Sequence, residues 1–190
     1  LRHLHMGMND WDSDKIKSDD EYKYNRGKVL NKEDLDKIEN FGRYLDVDND
    51  GICYRTYPGT HPEKGAFFTR GTSHDEYARY TEDGEVNAAT LSRLMKKFRT
   101  ASELVPKPVI EINGEDSCGV IFYGSTSPAV HEAKDILKDK EINIDLMQIR
   151  SFPFNLDVWE FIANHDRIYV VEQNRDSQMR TLIMAEGGIS

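Results

Sequence analysis

Cys118-Gly-Val-Ile-Phe-Tyr123, followed by Gly124-Ser-Thr-Ser-Pro128, sets a continuous apolar run against a small polar loop. An uninterrupted run of this kind is what a strand buried on both faces requires. Beyond Pro128 the pattern becomes helical over residues 129–137. The alternation recurs twice more, with strand-like runs at 142–149 and 167–171, each followed by helix-like sequence. The first of these helices is buried through Val158, Trp159, Phe161 and Ile162. Strands alternating with helical stretches of roughly 10–15 residues predict βαβ units around a parallel sheet. Residues 109–114 add a short edge strand. The expected fold class is α/β, a three-layer α/β/α domain with a mostly parallel sheet.

The 190 residues suffice for one substantial core, or for one core and an extended arm. Charged residues make up 31% and the mean hydropathy is -0.68, and no apolar run approaches the roughly 20 residues of a membrane span. No secretory signal pattern opens the chain. The net charge of -9 argues against nucleic acid as a partner, because phosphate binding needs a basic surface. Two cysteines, Cys53 and Cys118, cannot supply the four thiolates of an iron–sulfur cluster or a four-cysteine zinc site. Cys118 reads as an inert core thiol and Cys53 as part of a polar loop. With no disulfide framework, a cytoplasmic location is expected. The opening Leu-Arg-His-Leu-His, without methionine, reads as a cut inside a longer polypeptide.

Upstream, residues 1–26 hold no sustained period. His3 and His5 lack a third metal ligand, and Asp10, Asp12, Asp14, Asp19, Asp20 and Glu21 read as a solvated acidic stretch. Asn31 is placed to cap a helix whose apolar face is Leu35, Ile38, Phe41 and Leu45, ending near Leu45. Next comes Asp46-Val-Asp48-Asn-Asp50-Gly51, which matches the opening of a calcium-binding EF-hand loop. The acid needed at position twelve is replaced by Tyr57, so a tight Asx-rich turn is the simpler reading. Asp46, Asp48 and Asp50 stay open as a non-EF cation site.

Residues 52–71 are rich in aromatics, Pro and Gly and read as an ordered loop or hairpin. Arg70, His74, Asp75, Glu76 and Arg79 follow, interleaved with Tyr77 and Tyr80. Such a cluster fits an active site or a polar docking surface, and no nucleophile or phosphate loop adjoins it, which favours docking. Residues 85–104 form the clearest helix, with Val86, Ala89, Leu91, Leu94, Met95, Phe98, Ala101 and Leu104 as a core-facing stripe. Arg93, Lys96, Lys97 and Arg99 are then its solvated side. Pro106 and Pro108 stop the helix and mark the domain boundary, dividing 1–105 from 106–190.

In open α/β sheets, ligands and partners meet the carboxyl ends of the strands. Glu172, Asn174, Arg175 and Gln178 are therefore the surface candidates, with Glu172 by itself more typical of a structural hydrogen-bonder than of an acid/base catalyst. Ser125 lies in the loop before the next helix, where backbone N–H groups can hold an anion or simply complete a crossover. Ser125 and Ser127 read as helix caps, and His131 as an exposed helical residue.

Six stretches carry a family resemblance: 6–11 (MGMNDW), 46–60 (DVDNDGICYRTYPGT), 65–83 (GAFFTRGTSHDEYARYTED), 123–127 (YGSTS), 150–154 (RSFPF) and 167–180 (RIYVVEQNRDSQMR). In this order they resemble the alpha chain of the 2-oxoacid:ferredoxin oxidoreductases, most closely the 2-oxoglutarate type. The resemblance implies a thiamine diphosphate enzyme that oxidatively decarboxylates a 2-oxoacid, passes the acyl group to coenzyme A and delivers electrons to ferredoxin. It implies that 1–105 is the tail of a pyrimidine-binding domain and that 106–190 is a domain like the transketolase C-terminal one. The reacting acid would lie upstream, and the beta subunit would hold the diphosphate, magnesium and iron–sulfur cluster. No cofactor and no catalytic residue is then expected in this chain. Its partners would be the upstream pyrimidine-binding domain and the beta subunit, with ferredoxin and coenzyme A reached through the complex. The alternative is a free-standing interaction or regulatory module of the same fold.

Overall fold

The computed structural model describes residues 25–114 and 118–188. The expectations for His3, His5, the acidic stretch and residues 6–11 lie outside the described residues. In chain order the elements are α1 (Lys32–Lys37), α2 (Gly84–Leu104), β1 (Val109–Glu111), β2 (Cys118–Tyr123), a 3-10 turn (Gly124–Thr126) and α3 (Ser127–Lys138). Then come β3 (Ile144–Ile149), α4 (Leu156–Ala163), β4 (Ile168–Val171) and α5 (Gln178–Gly187). The described residues divide into two compact units, one within Ile16–Ala101 and one within Ser102–Ser190.

In the C-terminal unit the strand order is β1-β3-β2-β4. The pairs β2–β3 and β2–β4 are parallel, and β1 is antiparallel to β3. Alternating residues of the buried strands face opposite sides, which gives the three layers. Val120, Phe122, Ile144 and Leu146 pack with Val130 of α3. On the other face, Ile121, Met147 and Ile149 pack with Val158 and Phe161 of α4 and Ile183 of α5. Each large side chain so buried stabilises the fold by roughly 1.5–3 kcal/mol. A Cβ on Gly119 would sit 2.5 Å from Ile168 Cδ1 and 2.8 Å from Phe161 Cε1, so only glycine lets β4 and α4 approach β2 this closely. Cys118, at the first residue of β2, is half-buried rather than fully enclosed in the core.

In the N-terminal unit α1 begins as the sequence predicts. Asn31 and Asp34 form a reciprocal capping box. The helix ends at Lys37, however, well short of Leu45. Ile38 is extended, and the Lys64 ammonium donates to the carbonyls of Leu35 (3.2 Å) and Ile38 (2.8 Å). Those terminal acceptors are satisfied from a residue distant in sequence, and Asn40 and Gly42 favour leaving the helix.

Helix α2 forms over the expected span, but its apolar stripe is not enclosed: Val86, Leu94 and Ala101 are only half-buried. None of its residues is buried, and Leu91, Met95 and Phe98 are 55%, 60% and 49% exposed. Part of the side predicted to be solvated meets the Asp-rich turn, while Lys97 and Arg99 are exposed as expected. Arg93 Nη1 donates to Gly51 O (3.1 Å), Thr100 Oγ1 donates to Asp50 O (2.6 Å), and Lys96 bonds to Asn49 Oδ1. Gly51, at φ +82°, comes so close that a Cβ would lie 2.4 Å from Lys97 N. The apolar stripe therefore does not face a core among the described residues.

Candidate functional site

The carboxyl ends of β2 and β4 bring Tyr123, Glu172, Asn174 and Gln178 together. Helix α5 starts after Ser177, whose side chain makes no cap. Glu172 takes that role across a loop: its carboxylate accepts Met179 N (3.0 Å), Arg180 N (3.3 Å) and the Asn174 amide. Asn174 Oδ1 accepts Gln178 N (3.0 Å), and its amide reaches Tyr123 Oη (3.3 Å). Burial pushes the Glu172 carboxyl up, but hydrogen bonds from Met179 N, Asn174, Arg180 N and Tyr123 outweigh it and hold it below the usual carboxylate range. The positive end of α5 is thus already neutralised by an internal carboxylate. Arg175 stands apart, 91% exposed on its side chain and paired with Asp176 (2.7 Å). Ser125 lies in the 3-10 turn before α3, half-buried. The N-cap of α3 is Thr126, which makes no side-chain cap bond, so neither Ser125 nor Ser127 occupies the N-cap position. His131 is 43% exposed on its side chain and meets Phe122 edge-on.

The N-terminal cluster separates into structural and surface groups. Asp75 Oδ1 accepts Tyr77 N (2.9 Å) and Arg79 N (2.8 Å), which holds a turn with Ala78 at φ 68°. His74 stacks on Tyr44 with ring centroids 3.9 Å apart, and its backbone pairs with Tyr80. Glu76 offers its carbonyl to Tyr44 N (2.9 Å). Arg70 lies over Tyr80 (5.8 Å) and Arg79 over Tyr77 (5.5 Å), while Arg43 covers both Tyr44 (5.3 Å) and Phe67 (5.9 Å). Phe68 beside them is 82% exposed. Exposed rings carrying guanidinium groups are the composition of an interface centre.

Three further features escaped the sequence reading. Lys28 reaches both Asp48 and Asp50. His165 and Asp145 form a buried pair, with Nε2 3.0 Å from Oδ2 and side chains 5% and 4% exposed. The signal for it was an acid inside the apolar run Ile144-Asp-Leu-Met, whose partner follows twenty residues later. A 470 Å³ cavity beside it is lined mainly by Ile121, Ile162, Ile168, Val170 and Ile183. Among the described residues no group of three or more His, Cys, Asp or Glu is placed to hold a metal ion. None of their helices is long and apolar enough to cross a membrane. Burial pushes the Cys53 thiol up, which disfavours its reactive thiolate.

No family model matches the chain. Over 170 residues it is 30% identical to the alpha subunit of 2-oxoacid:ferredoxin oxidoreductase 2 from Aeropyrum pernix, covering 86% of this chain and 25% of that subunit. It is 25% identical over 169 residues to the alpha subunit of the Saccharolobus solfataricus 2-oxoacid:ferredoxin oxidoreductase, covering 86% of this chain and 26% of that one. The chain is a distant relative of these alpha subunits. It spans about a quarter of the length of the curated relatives it matches. A solved structure shares the fold: 2-oxoglutarate:ferredoxin oxidoreductase from Magnetococcus marinus, with 2-oxoglutarate, coenzyme A and succinyl-CoA bound. The match has a TM-score of 0.75 at 22% identity over 91% of this chain and 29% of that one.

Proposed function

We propose that this chain is a C-terminal part of the alpha subunit of a thiamine diphosphate-dependent 2-oxoacid:ferredoxin oxidoreductase, working in the cytoplasm. The observation that carries the reading, beside the relationship to the alpha subunits, is helix α2. Its 21 residues include none that is buried, and Leu91 and Met95, one turn apart on its apolar side, are 55% and 60% exposed. An exposed apolar stripe of this kind marks a surface meant to be covered. The upstream pyrimidine-binding domain is its cover in this reading. The Arg–aromatic surface around Arg43, Arg70 and Arg79 is the contact for the beta subunit.

The chain contributes packing and contact surfaces rather than reacting groups. Its two cysteines cannot supply the four thiolates of a cluster. The acid at the strand ends, Glu172, is fully engaged by backbone amides of α5 and by side-chain partners. In this reading thiamine diphosphate and the cluster are held elsewhere in the complex. The Magnetococcus marinus enzyme, solved with 2-oxoglutarate bound, supports 2-oxoglutarate as the substrate of the whole complex.

The test uses native material. An antibody to this chain captures its antigen anaerobically, and dye reduction is assayed with 2-oxoglutarate and coenzyme A. Turnover with a co-captured second subunit is expected. An antigen of this length alone, silent with every 2-oxoacid, would instead identify a free-standing interaction module.

A further inference from the structure

The turn that opens like a calcium-binding loop holds a cation of its own. Lys28 Nζ donates to Asp48 Oδ2 (2.6 Å), Asp50 Oδ2 (2.7 Å) and the Ile52 carbonyl (3.2 Å). Counted from Asp46, these oxygens come from positions three, five and seven, and position seven of an EF-hand loop also offers its backbone carbonyl. Asp46, at position one, turns its carboxylate inward, accepting Asp50 N (3.0 Å) and Gly51 N (3.0 Å to Oδ1, 2.9 Å to Oδ2). Gly51, at position six, makes the sharp turn at φ +82°. The ammonium also lies 5.2 Å from the centre of the Tyr54 ring, which encloses it on a further side.

We infer that the Asp46–Ile52 turn is a calcium-type loop whose resident cation is the Lys28 ammonium. A divalent ion brings two charges at a variable concentration, whereas lysine brings one charge permanently attached. The substitution relieves the repulsion between Asp48 and Asp50 without dependence on metal supply. It also ties the segment around Lys28 to the turn, where Leu30 N donates to Arg55 O (2.9 Å) and Arg55 N to Lys28 O (2.9 Å). The turn in turn seats α2 through Gly51 and Asp50. The ammonium thus joins the segment around Lys28 to the turn on which α2 is seated. Burial works against the Lys28 charge, yet the two carboxylates outweigh it and keep the group protonated far above neutral pH. The same pairing holds both the Asp48 and Asp50 carboxyls below their usual range.

The proposal makes the wild-type chain indifferent to calcium and its Lys28→Met variant responsive to it. Thermal melting of the full chain is followed in 1 mM EDTA and in calcium up to about 10 mM, the range of weak loops with few carboxylates. Terbium is added in parallel, because Tyr54 beside the site transfers excitation to a lanthanide seated there. Wild type should show no calcium shift and no Tyr54-sensitised terbium emission. Lys28→Met should melt lower in EDTA, recover by a few degrees in calcium, and emit with terbium. Emission should vanish in Lys28→Met with Tyr54→Phe, and Lys28→Arg should behave as wild type. Calcium stabilisation or sensitised emission in the wild type would overturn the inference. So would a Lys28→Met protein that folds and answers neither ion. If Lys28→Met fails to fold, the wild-type and Lys28→Arg arms still decide.

Discussion

The two units of this molecule are held by different forces. Of the buried apolar residues, Leu35 and Ala78 alone belong to the described part of the N-terminal unit, whereas the remainder line the two faces of the C-terminal sheet. The N-terminal unit relies on polar links across long stretches of sequence: Lys28 to Asp48 and Asp50, Lys64 to two α1 carbonyls, Asp46 to the turn amides. Apolar burial is additive and tolerant, while such links are few and each depends on one pair of atoms. The sheet is held by its own two apolar clusters, one on each face. The polar unit instead leaves Phe68 82% exposed, with Leu91 and Met95 of α2 more than half exposed.

Substitutions can break or sharpen that contrast, and the largest effect belongs in the sheet. Phe122→Ala empties a site only 1% exposed and should cost about 3–5 kcal/mol. Denaturant unfolding read by Trp159 fluorescence, in a Trp11→Phe background, checks it, and a loss under 1 kcal/mol would mean that the sheet core does not carry the unit. His165→Ala removes the imidazole from the buried Asp145 and should cost about 3 kcal/mol by the same readout. An unchanged midpoint would show that the pair is dispensable.

In the N-terminal unit Gly51→Ala forces a side chain onto the backbone of α2 and should cost about 1–3 kcal/mol. Hydrogen exchange should accelerate over residues 46–56 and 84–104 and leave β2 and β3 as they were; acceleration in the sheet would merge the two units into one cooperative block.

The smallest effect is the acid response of Glu172. Its folded carboxyl titrates below the unfolded value near 4.5, so it contributes stability above that value which is lost as pH falls through the folded one. Glu172→Gln should lower stability modestly at neutral pH, flatten the profile below about pH 4.5 and converge with the wild type in acid. A variant whose acid slope equals the wild type would assign that slope to other carboxylates.

What could be read in advance follows the same division. The run from Cys118 to Tyr123 announced a buried strand because burial on both faces leaves a local, uninterrupted signature. Asn31 announced the start of α1 because an N-cap is a local signal too. The end of α1 was not legible, since Lys64 supplies it from a loop whose contact has no period. Helix α2 was predicted by its stripe, but a stripe cannot say whether its cover lies in the same chain. Lys28 carried no signal, because a single lysine eighteen residues before an acidic turn resembles any surface lysine. Among the candidates at the strand ends, Glu172 and Asn174 proved to be capping partners of α5, and Arg175 a lone exposed pair.

The most direct test of the functional account is methionine-oxidation footprinting of the chain by itself and within the anaerobically captured native assembly. Met95 on the α2 stripe is 60% exposed and Met147 in the sheet is 0% exposed, so one reports the surface and the other calibrates the fold. The account predicts that Met95 oxidises readily in the isolated chain and is protected in the assembly, with Met147 protected in both. Equal oxidation of Met95 in the two samples would contradict it.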